Sequence, residues 1–379
     1  MTERAASSPS RGRPSRPGEL SDAMEKRLST RKKIVFAVFL FVGLTLITLV
    51  LTEIVLRLSA GQQLRSMLTI ARVMHYRNGA GLLLTPGIRV EHTLASGEAT
   101  YPIRINAQGL RADREYAPAP APHVARVLVM GDSFTFGIGV PVEQTYAAVL
   151  ETLLNDGTAD ERFEVINTGF ANGDCPLPQY LYLQERGLAF GPRIVVVGFY
   201  ADNDLHDMDL YRATPGPDGL PASLTLPGGD LPWWLKRTAL YQRVGLQIVH
   251  PRLAQLLRRR KPDQPSDAPT AETGIRNLEQ AMKLFAGMER LAAAHAARLI
   301  VMFIPSVNEV FGDQADKAQR IRAALSASAA RHGFTTVDLT AAIRAAGPDV
   351  YLPIDQHFDA LGHRVAAQTL AATLRAAQP

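Results

Sequence analysis

The sequence predicts an α/β protein: a three-layer sandwich on a mostly parallel five-stranded sheet, preceded by one transmembrane helix. Three observations lead to this prediction. Strand-like runs alternate with helical patterns after residue 123. Most of these runs are continuously apolar, which is typical of strands that are covered on both faces. A long uncharged apolar run also stands near the N-terminus, as in a helix that crosses a bilayer.

The N-terminal segment, residues 1–33, is predicted to be a disordered basic tail. It is rich in Arg, Ser and Pro and has few apolar residues, so it cannot bury a core. Its nine basic and four acidic residues account for the whole formal net charge of +5. Because the rest of the chain is neutral, the sequence excludes a basic face for nucleic acid.

Residues 34–58 are predicted to be a transmembrane anchor. Residues 34–51 carry no charge and the apolar pattern continues to Leu58, enough to span a bilayer at about 1.5 Å per residue. A cleaved signal peptide is the alternative, but its apolar region would be shorter. The preceding positive charges predict a cytoplasmic N-terminus, with the rest of the chain on the periplasmic side of the inner membrane.

The remainder divides into a connector and a larger α/β domain. The connector, residues 59–123, is predicted to contain a helix over 61–76, a small β-hairpin unit over 88–110 and a final Pro-rich spacer. The larger domain covers residues 124–379. An insertion at about 205–271, rich in Pro, Gly and charge, interrupts it where a lid or substrate wall would stand. A plain surface insertion fits the same pattern.

The larger domain alternates short apolar runs with helical periodicity, which implies right-handed crossovers. The five predicted strands cover residues 124–130, 163–167, 193–200, 298–304 and 335–339. The predicted helices cover residues 146–154, 180–188, 275–291 and 360–376.

Ser133 is a candidate nucleophile. The first strand of the domain stops at Gly131, and the serine follows inside a turn bracketed by glycines. A helical pattern comes next, so the hydroxyl stands at the edge of the sheet with backbone N–H groups beside it. Gly-Asp-Ser in such a turn is also ordinary helix-capping chemistry. The downstream sequence has to decide between the two.

Suitable partner groups follow downstream, each at the edge of a core element. Gly169 comes after the second strand, where a backbone N–H can approach a bound group closely. Asn203 follows the third strand and can aim a side-chain N–H into the same crevice. Asp355 and His357 fall in a turn before the last helix. An acid and an imidazole can therefore converge on the serine.

The order and spelling of these blocks resemble the SGNH, or GDSL-type, hydrolase family. The matching blocks are Gly131-Asp132-Ser133, Asn167-Thr168-Gly169, Asn203-Asp204 and His357. The resemblance implies an SGNH, flavodoxin-like fold with Ser133 as nucleophile, His357 as base and an aspartate as its orienter. It further implies an oxyanion hole formed by the Ser133 N–H, the Gly169 N–H and the Asn203 side chain. It implies no metal and no cofactor.

The last block departs from the commonest family spelling. The aspartate usually stands three residues before the histidine, and Ile354 occupies that position. Asp355 stands two residues before His357, which is similar to the alginate and peptidoglycan O-acetyltransferase branches. Asp359 is the other acid nearby. This Asp-x-His spelling predicts that the substrate is an O-acyl ester, above all an acetyl ester, of an envelope or extracellular glycan.

The resemblance leaves three functional classes open. The first is a membrane-anchored serine esterase or deacylase with a Ser-His-Asp site. The second is an O-acyltransferase that modifies an exported polysaccharide and takes its acyl group from a membrane partner. The third is a non-catalytic glycan-binding or assembly protein, although a pure binder has no need for all four blocks. The predicted partners are an acylated glycan or small ester and, through one helix, the lipid bilayer.

Other polar features are predicted to be structural. Cys175 is the only cysteine and has no neighbouring histidine that would activate it. The acid-rich run at 202–209 lacks the glycine of a calcium loop and is predicted to be a solvated loop. His363 is predicted at the surface. Residues 104–111 resemble a segment that often precedes this domain in membrane-anchored members, and they indicate only a strand and a turn.

Overall fold

The computed structural model of the protein describes residues 30–77, 81–157, 161–226, 230–244 and 271–376. The chain divides into two compact units, residues 1–58 and 59–379. In the first unit, helix α1 covers Thr30–Leu58. Its stretch Lys32–Leu58 is long and apolar enough to cross a membrane, as an anchor or a signal sequence would be. Most of the predicted basic tail lies outside the described residues.

The second unit begins with a helix and two small antiparallel sheets. Helix α2 covers Gln62–Val73, so it ends three residues before the predicted end. Strands β1 to β4 cover Met74–Arg77, Gly81–Leu84, Arg89–Thr93 and Thr100–Arg104. β1 pairs with β2, and β3 pairs with β4. Apolar side chains of this region, such as Ile103 and Leu110, lie in the same core as the central sheet.

The central sheet has five strands, and all of its pairs are parallel. The remaining strands of the chain, β5 to β11, cover Val124–Gly131, Arg162–Asn167, Ile194–Phe199, Arg212–Pro215, Pro221–Thr225, Arg298–Phe303 and Thr335–Asp338. The central strands stand in the order β11-β10-β7-β5-β6. β8 and β9 form a separate antiparallel hairpin. Each central strand begins and ends within one residue of its predicted bounds.

Helices cover both faces of this sheet. Helices α3 to α12 cover Ser133–Phe136, Tyr146–Leu154, Pro176–Glu185, Ala201–Asp207, Trp233–Lys236, Ala271–Ala294, Val307–Phe311, Ala315–His332, Thr340–Ala346 and Ala360–Ala376. α5, α8 and α10 share one core with Leu128 and Met130 of β5. α4, α11 and α12 share the other core with Val127 and Val129. Strand side chains alternate between faces, and the three-layer α/β prediction is confirmed.

Several helices were not predicted from periodicity. α10 is composed mainly of alanine and charged residues, with Ile321 and Leu325 as its large buried side chains. Its apolar stripe is therefore too weak to stand out in the sequence. α5 begins at Pro176, four residues before its predicted start, because proline fits the first turn of a helix. The middle of the predicted insertion, including Pro251, lies outside the described residues.

The strand order creates a switch point at the carboxyl ends of the central strands. β5 has β6 on one side and β7 on the other. The chain therefore leaves neighbouring strands toward opposite sides, and a crevice opens between their loops. The loops after β5, β6 and β7 meet at this crevice, where ligands bind in open α/β sheets.

Glycines allow the ends of these three strands to approach one another. A Cβ on Gly131 of β5 would lie 2.1 Å from Thr135 Oγ1, and one on Gly198 of β7 would lie 2.7 Å from the same atom. A Cβ on Gly169, after β6, would lie 2.8 Å from Thr135 Cγ2. The Thr135 hydroxyl is hydrogen-bonded to Tyr146 Oη at 2.7 Å. The turn after β5 can therefore pack against the ends of β5, β6 and β7, because the glycines there have no side chain that would overlap Thr135.

We expect Gly131→Ala to destabilise the fold more than Gly157→Ala does. Gly131 has φ +152° and Gly157 has φ +148°, so both substitutions strain the backbone in a similar way. Only the alanine at 131 would overlap other atoms, since among the described residues no atom beyond the chain neighbours of Gly157 lies within 4 Å of a Cβ placed there. The extra loss in unfolding free energy should be about 1–3 kcal/mol. Urea unfolding of the full chain in detergent measures it, and equal losses would contradict the packing argument.

Candidate active site

Ser133 is the first residue of α3, directly after the turn that ends β5. Asp132 caps this helix, since its Oδ1 accepts a hydrogen bond from Phe134 N at 3.0 Å. As a first-turn residue, Ser133 has an N–H group that finds no acceptor within the helix. The residue is 7% exposed. The local fold thus places at the crevice the nearly buried hydroxyl of Ser133 and its backbone N–H, which has no acceptor within the helix.

His357 and Asp355 approach Ser133 from the loop before α12. His357 Nε2 lies 2.7 Å from Ser133 Oγ. On the other side of the ring, His357 Nδ1 and Asp355 Oδ1 are joined by a short hydrogen bond. A hydroxyl, an imidazole and a carboxylate therefore stand in hydrogen-bonded sequence. This is the geometry that an activated serine nucleophile requires.

The loop that carries the imidazole is a closed turn. Leu352 N donates to His357 O at 2.8 Å, and Gln356 N donates to Leu352 O at 3.0 Å. Gln356 adopts a left-handed φ of +65°, which is uncommon for a residue other than glycine. An isolated bridge between Tyr351 and Phe358 closes the base of the loop. These backbone contacts hold the two ends of the loop together.

The two acids near His357 have different partners. Asp355 contacts the imidazole, whereas Asp359 Oδ1 accepts a hydrogen bond from Gly362 N at 2.8 Å and caps the start of α12. Ile354, at the position of the commonest family aspartate, is 69% exposed. The structure therefore places Asp355 against the His357 imidazole and Asp359 in the cap of α12.

The three side chains line one cavity of about 210 Å³. Its wall is formed by the loops after β5, β6 and β7 and by the histidine loop. The other lining residues are Asp132, Phe134, Ala171, Asn172, Gly173, Tyr200, Asn203 and Gln356. The cavity therefore lies at the switch point of the sheet.

The three groups predicted as oxyanion donors are placed differently. Ser133 and Asn203 line the cavity. Gly169 does not, because its N–H donates to Asn167 Oδ1 at 2.9 Å and its Cα packs against Thr135. The structure corrects the expectation that Gly169 faces the crevice. This glycine allows close packing of the nucleophile turn.

Gly173 lines the cavity where Gly169 was expected. It adopts a left-handed φ of +71°, and its carbonyl accepts a short hydrogen bond from the Tyr211 hydroxyl. The ring of Tyr211 packs against that of Tyr76, with centroids 5.6 Å apart. Of the described residues in the predicted insertion, Tyr211 thus supports a cavity loop from behind, and none lines the cavity itself. The sequence contained both glycines, but its pattern could not choose between them.

Buried carboxyl groups lie around the nucleophile. Burial raises the pKa of Asp132 to about 6, against the opposing effect of His357. Burial raises the pKa of Asp204 well above its usual value, and Asp132 and Asp174 add to the shift. Asp204 Oδ2 accepts a hydrogen bond from Tyr200 N at 3.1 Å. The acid-rich run is therefore not a solvated loop throughout, because it forms α6 and buries one of its acids.

His363, predicted at the surface, is fully buried. Its Nδ1 accepts a hydrogen bond from Tyr146 N at 3.2 Å. Burial lowers its pKa to about 3, so the ring is neutral at neutral pH. The sequence held a signal for this: position 363 starts the stripe that continues with Ala366, Ala367 and Leu370 on the buried face of α12.

Neither Cys175 nor a metal site adds to the chemistry of Ser133, His357 and Asp355 in the described residues. Cys175 is fully buried at the start of α5, and burial raises the pKa of its thiol well above the usual value. A thiol in that state is protonated and unreactive. Among the described residues, no group of three or more His, Cys, Asp or Glu side chains is arranged to hold a metal ion.

Residues 265–379 match the family model described as "SGNH hydrolase-like domain, acetyltransferase AlgX". The matched range includes Asp355 and His357, and Ser133 lies upstream of it. This part of the chain is therefore similar to an SGNH hydrolase-like domain, and the five-stranded parallel sheet fits that fold.

Several solved structures are similar to this chain, whereas no curated protein sequence matches it. One is a putative lipolytic protein of the G-D-S-L family from Desulfitobacterium hafniense DCB-2, with 13% identity and a TM-score of 0.39 over 65% of this chain and 98% of that one. Another is LAE5, an alpha/beta hydrolase enzyme from the metagenome of Lake Arreo, Spain (15%, TM-score 0.42, 67% and 97%). A third is Axe2, an acetylxylan esterase from Geobacillus stearothermophilus (15%, TM-score 0.40, 65% and 93%).

The burial of His363 makes stability depend on pH. The folded state has a His363 pKa of about 3, and an unfolded chain has about 6.5. Between these values the unfolded state binds more protons, so this contribution to stability is complete above about pH 6.5 and is lost as the pH falls. We expect His363→Asn to remove it. The unfolding free energy of the wild type should then fall more steeply than that of the variant, by up to about 1.4 kcal/mol per pH unit.

Urea unfolding of the full chain in detergent at several pH values between neutral and mildly acidic measures both slopes. The matched control is His332→Asn at the exposed end of α10, which should run parallel to the wild type. A His363→Asn variant with the wild-type slope would contradict the argument.

Proposed function

We propose that the chain is a membrane-anchored serine esterase or deacylase that removes O-acyl, above all acetyl, groups from an envelope or extracellular glycan. One observation carries the proposal. Ser133 Oγ lies 2.7 Å from His357 Nε2, and Asp355 contacts the opposite ring nitrogen, all at one cavity.

In the proposed mechanism, His357 Nε2 takes the proton of Ser133 as Oγ attacks the carbonyl carbon of the ester. Asp355 fixes the imidazole tautomer and stabilises the imidazolium. The ester C–O bond then breaks, and His357 gives the proton to the leaving alcohol. Water then attacks the carbonyl carbon of acyl-Ser133 while His357 takes its proton. The bond from this carbon to Ser133 Oγ breaks, His357 returns the proton to Oγ, and the carboxylic acid leaves.

The oxyanion of the tetrahedral intermediate needs fixed donors, and we assign three. The Ser133 N–H lies at the start of α3, and the Asn203 amide lines the cavity. Asn203 also acts on Asp132, whose pKa it helps to lower; an amide NH2 carries two hydrogens, so at least one remains for the oxyanion. We place the third donor at Gly173 instead of Gly169, since Gly173 lines the cavity. Each such donor lowers the barrier by about 2.7–4 kcal/mol.

The size of the cavity supports a short acyl group. Its volume of about 210 Å³ is below the range of roughly 300–1,000 Å³ that is typical of small-molecule pockets. The Phe134 ring packs on one side against His357, 4.9 Å between centroids, and on the other against Tyr200, at 4.4 Å. A cavity of this volume, lined by these rings, fits an acetyl group better than a fatty acyl chain. The Asp-x-His spelling supports a glycan as the alcohol part. The matching family model, whose description names an acetyltransferase, supports an acetyl group as the acyl part.

The location is part of the proposal. Residues 34–58 would anchor the chain in the inner membrane, with the basic tail, residues 1–33, in the cytoplasm. The connector, residues 59–123, and the catalytic domain with its insertion would then lie on the periplasmic side. The apolar helix and the positive charges that precede it support this orientation.

Acyl transfer is the second candidate, and the family model favours it, because its description names an acetyltransferase. In that reaction a glycan hydroxyl replaces water in the attack on the acyl-Ser133. The acyl group would come from a membrane partner. The steps up to the acyl-enzyme are the same in both candidates.

The full chain in detergent, incubated with an aryl acetate with and without an oligosaccharide acceptor, separates these candidates. Acetate release that does not depend on the acceptor supports the esterase. Acetylated oligosaccharide supports the transferase. Turnover that survives Ser133→Ala would contradict both, and the lack of any turnover would favour a non-catalytic glycan-binding protein.

We expect Asp355→Asn to lower kcat for the aryl acetate by roughly 10³–10⁴-fold, because an amide holds the imidazole without stabilising its charged form. Asp359→Asn is the matched control. It removes the same charge and keeps the cap of α12, because asparagine caps a helix about as well as aspartate, and it should keep kcat near the wild-type value. Steady-state kinetics of both variants test the assignment, and a larger kcat loss in Asp359→Asn would reverse it.

A further inference from the structure

The segment 104–111, which the sequence shows only as a strand and a turn, ends in a buried arginine behind the nucleophile. Asn106 folds the turn, since its Oδ1 accepts from Leu110 N at 2.9 Å. Gly109 has a φ of +76°, a conformation that favours glycine. The turn thereby directs Arg111 into the interior, where the residue is 1% exposed.

Arg111 binds the loop that follows the nucleophile helix. Its guanidinium donates to the carbonyls of Gly137 at 2.6 Å and Val140 at 2.5 Å, and to that of Phe136 in a short hydrogen bond. It also stacks over the Phe136 ring, 4.4 Å from the centroid. Burial lowers its pKa to about 10, so the group stays charged at neutral pH. A planar fork of donors can hold three carbonyls together, which a lysine ammonium cannot do in the same geometry.

Glu98 binds the loop that carries the acid and the base. It lies in the turn between β3 and β4. Its two carboxylate oxygens accept from Ile354 N at 3.2 Å and from Asp355 N at 2.8 Å. Hydrogen bonds from backbone N–H groups to a carboxylate are charge-assisted and strong. Asp355 is therefore fixed through its backbone, while its side chain holds His357.

The two loops and the hairpin behind them form one packed assembly. A Cβ on Gly139, after the nucleophile helix, would lie 2.7 Å from Leu352 Cδ1 of the histidine loop. Behind them, Tyr101 of β4 lies under Arg111, whose Cζ is 5.6 Å from the ring centroid. Tyr101 is the cross-strand partner of His92 in β3, and their rings meet edge to face at 5.5 Å. The same hairpin thus supports both Arg111 and the Glu98 turn.

We propose that Arg111 and Glu98 are positioning residues: Arg111 sets the position of Ser133, and Glu98 sets that of Asp355 and His357. The inference rests on the function proposed above. Both residues belong to the connector, and none of its described residues, 59–77 and 81–123, lines the cavity. The alignment of nucleophile and base therefore depends on a segment upstream of the α/β domain.

This role has a kinetic signature. A shift of about 1 Å between reacting groups can cost roughly 10²-fold in rate. Such a shift weakens the transition state and leaves ground-state binding unchanged, so it lowers kcat and not the affinity that KM reflects.

The first test is Glu98→Gln in the full chain in detergent, with the aryl acetate as substrate. The amide keeps the size of the side chain but has one acceptor oxygen, so one of the two backbone N–H groups loses its partner. We expect kcat to fall roughly 10–100-fold with KM within about twofold of the wild type. The matched control is Glu91→Gln on the exposed face of β3, which should leave both constants unchanged.

The second test is Arg111→Ala with guanidinium chloride added at millimolar concentration. A free guanidinium ion can occupy the space of the missing group and bind the same carbonyls. We expect it to restore part of kcat in this variant and to have no such effect on Arg89→Ala, an exposed control on β3. Near-UV circular dichroism establishes that each variant is folded.

Wild-type kcat in Glu98→Gln would overturn the inference, and so would a folded Arg111→Ala variant whose activity loss guanidinium does not change. If Arg111→Ala does not fold, the Glu98→Gln result decides. Ser133→Ala separates the proposed function from the positioning roles of Arg111 and Glu98. Its continued turnover would contradict the proposed function, whereas an inactive Ser133→Ala beside wild-type kinetics in the other two variants would overturn only the positioning roles.

Discussion

The close packing of Thr135 against three glycines is the constraint on which the active site depends. One glycine stands at the end of each of β5, β6 and β7, and a side chain at any of them would overlap Thr135. The nucleophile turn can therefore sit directly on the edge of the sheet, with Ser133 in the crevice and Asn167 Nδ2 donating to Thr135 O at 2.8 Å. This packing also explains Gly169, which makes room for the turn and leaves the cavity to Gly173.

Three of the four loops that line the cavity are each held by one polar side chain from outside the central sheet. Arg111 binds the loop after the nucleophile, Glu98 binds the histidine loop, and Tyr211 binds the carbonyl of Gly173. All three act on backbone atoms, so they fix the positions of groups whose own side chains remain free for chemistry. Acyl transfer requires such preorganisation, because its donors and base are effective only within narrow limits of distance and angle. Residues of the connector and of the insertion are thus part of the site's construction.

The sequence was informative where a single pattern determines the structure. The five central strands were predicted to within one residue, because continuous apolar runs have few alternatives in an α/β chain. Ser133, Asn203, Asp355 and His357 stand at the ends of core elements, and the topology brings those ends together. Local patterns do not show long-range packing, which is why His363 was expected at the surface and Gly169 in the crevice. Arg111 and Glu98 were unpredictable for the same reason: their partners are backbone atoms, which have no sequence signature.

The central claim is that Ser133 is the activated nucleophile of this site, and covalent labelling tests it most directly. The full chain in detergent would be treated with a fluorophosphonate, which reacts with serines activated by a neighbouring base, and the adduct would be located by peptide mass spectrometry. We expect a single adduct on Ser133, and its loss in His357→Ala. An adduct on another serine, or labelling that His357→Ala leaves unchanged, would contradict the account.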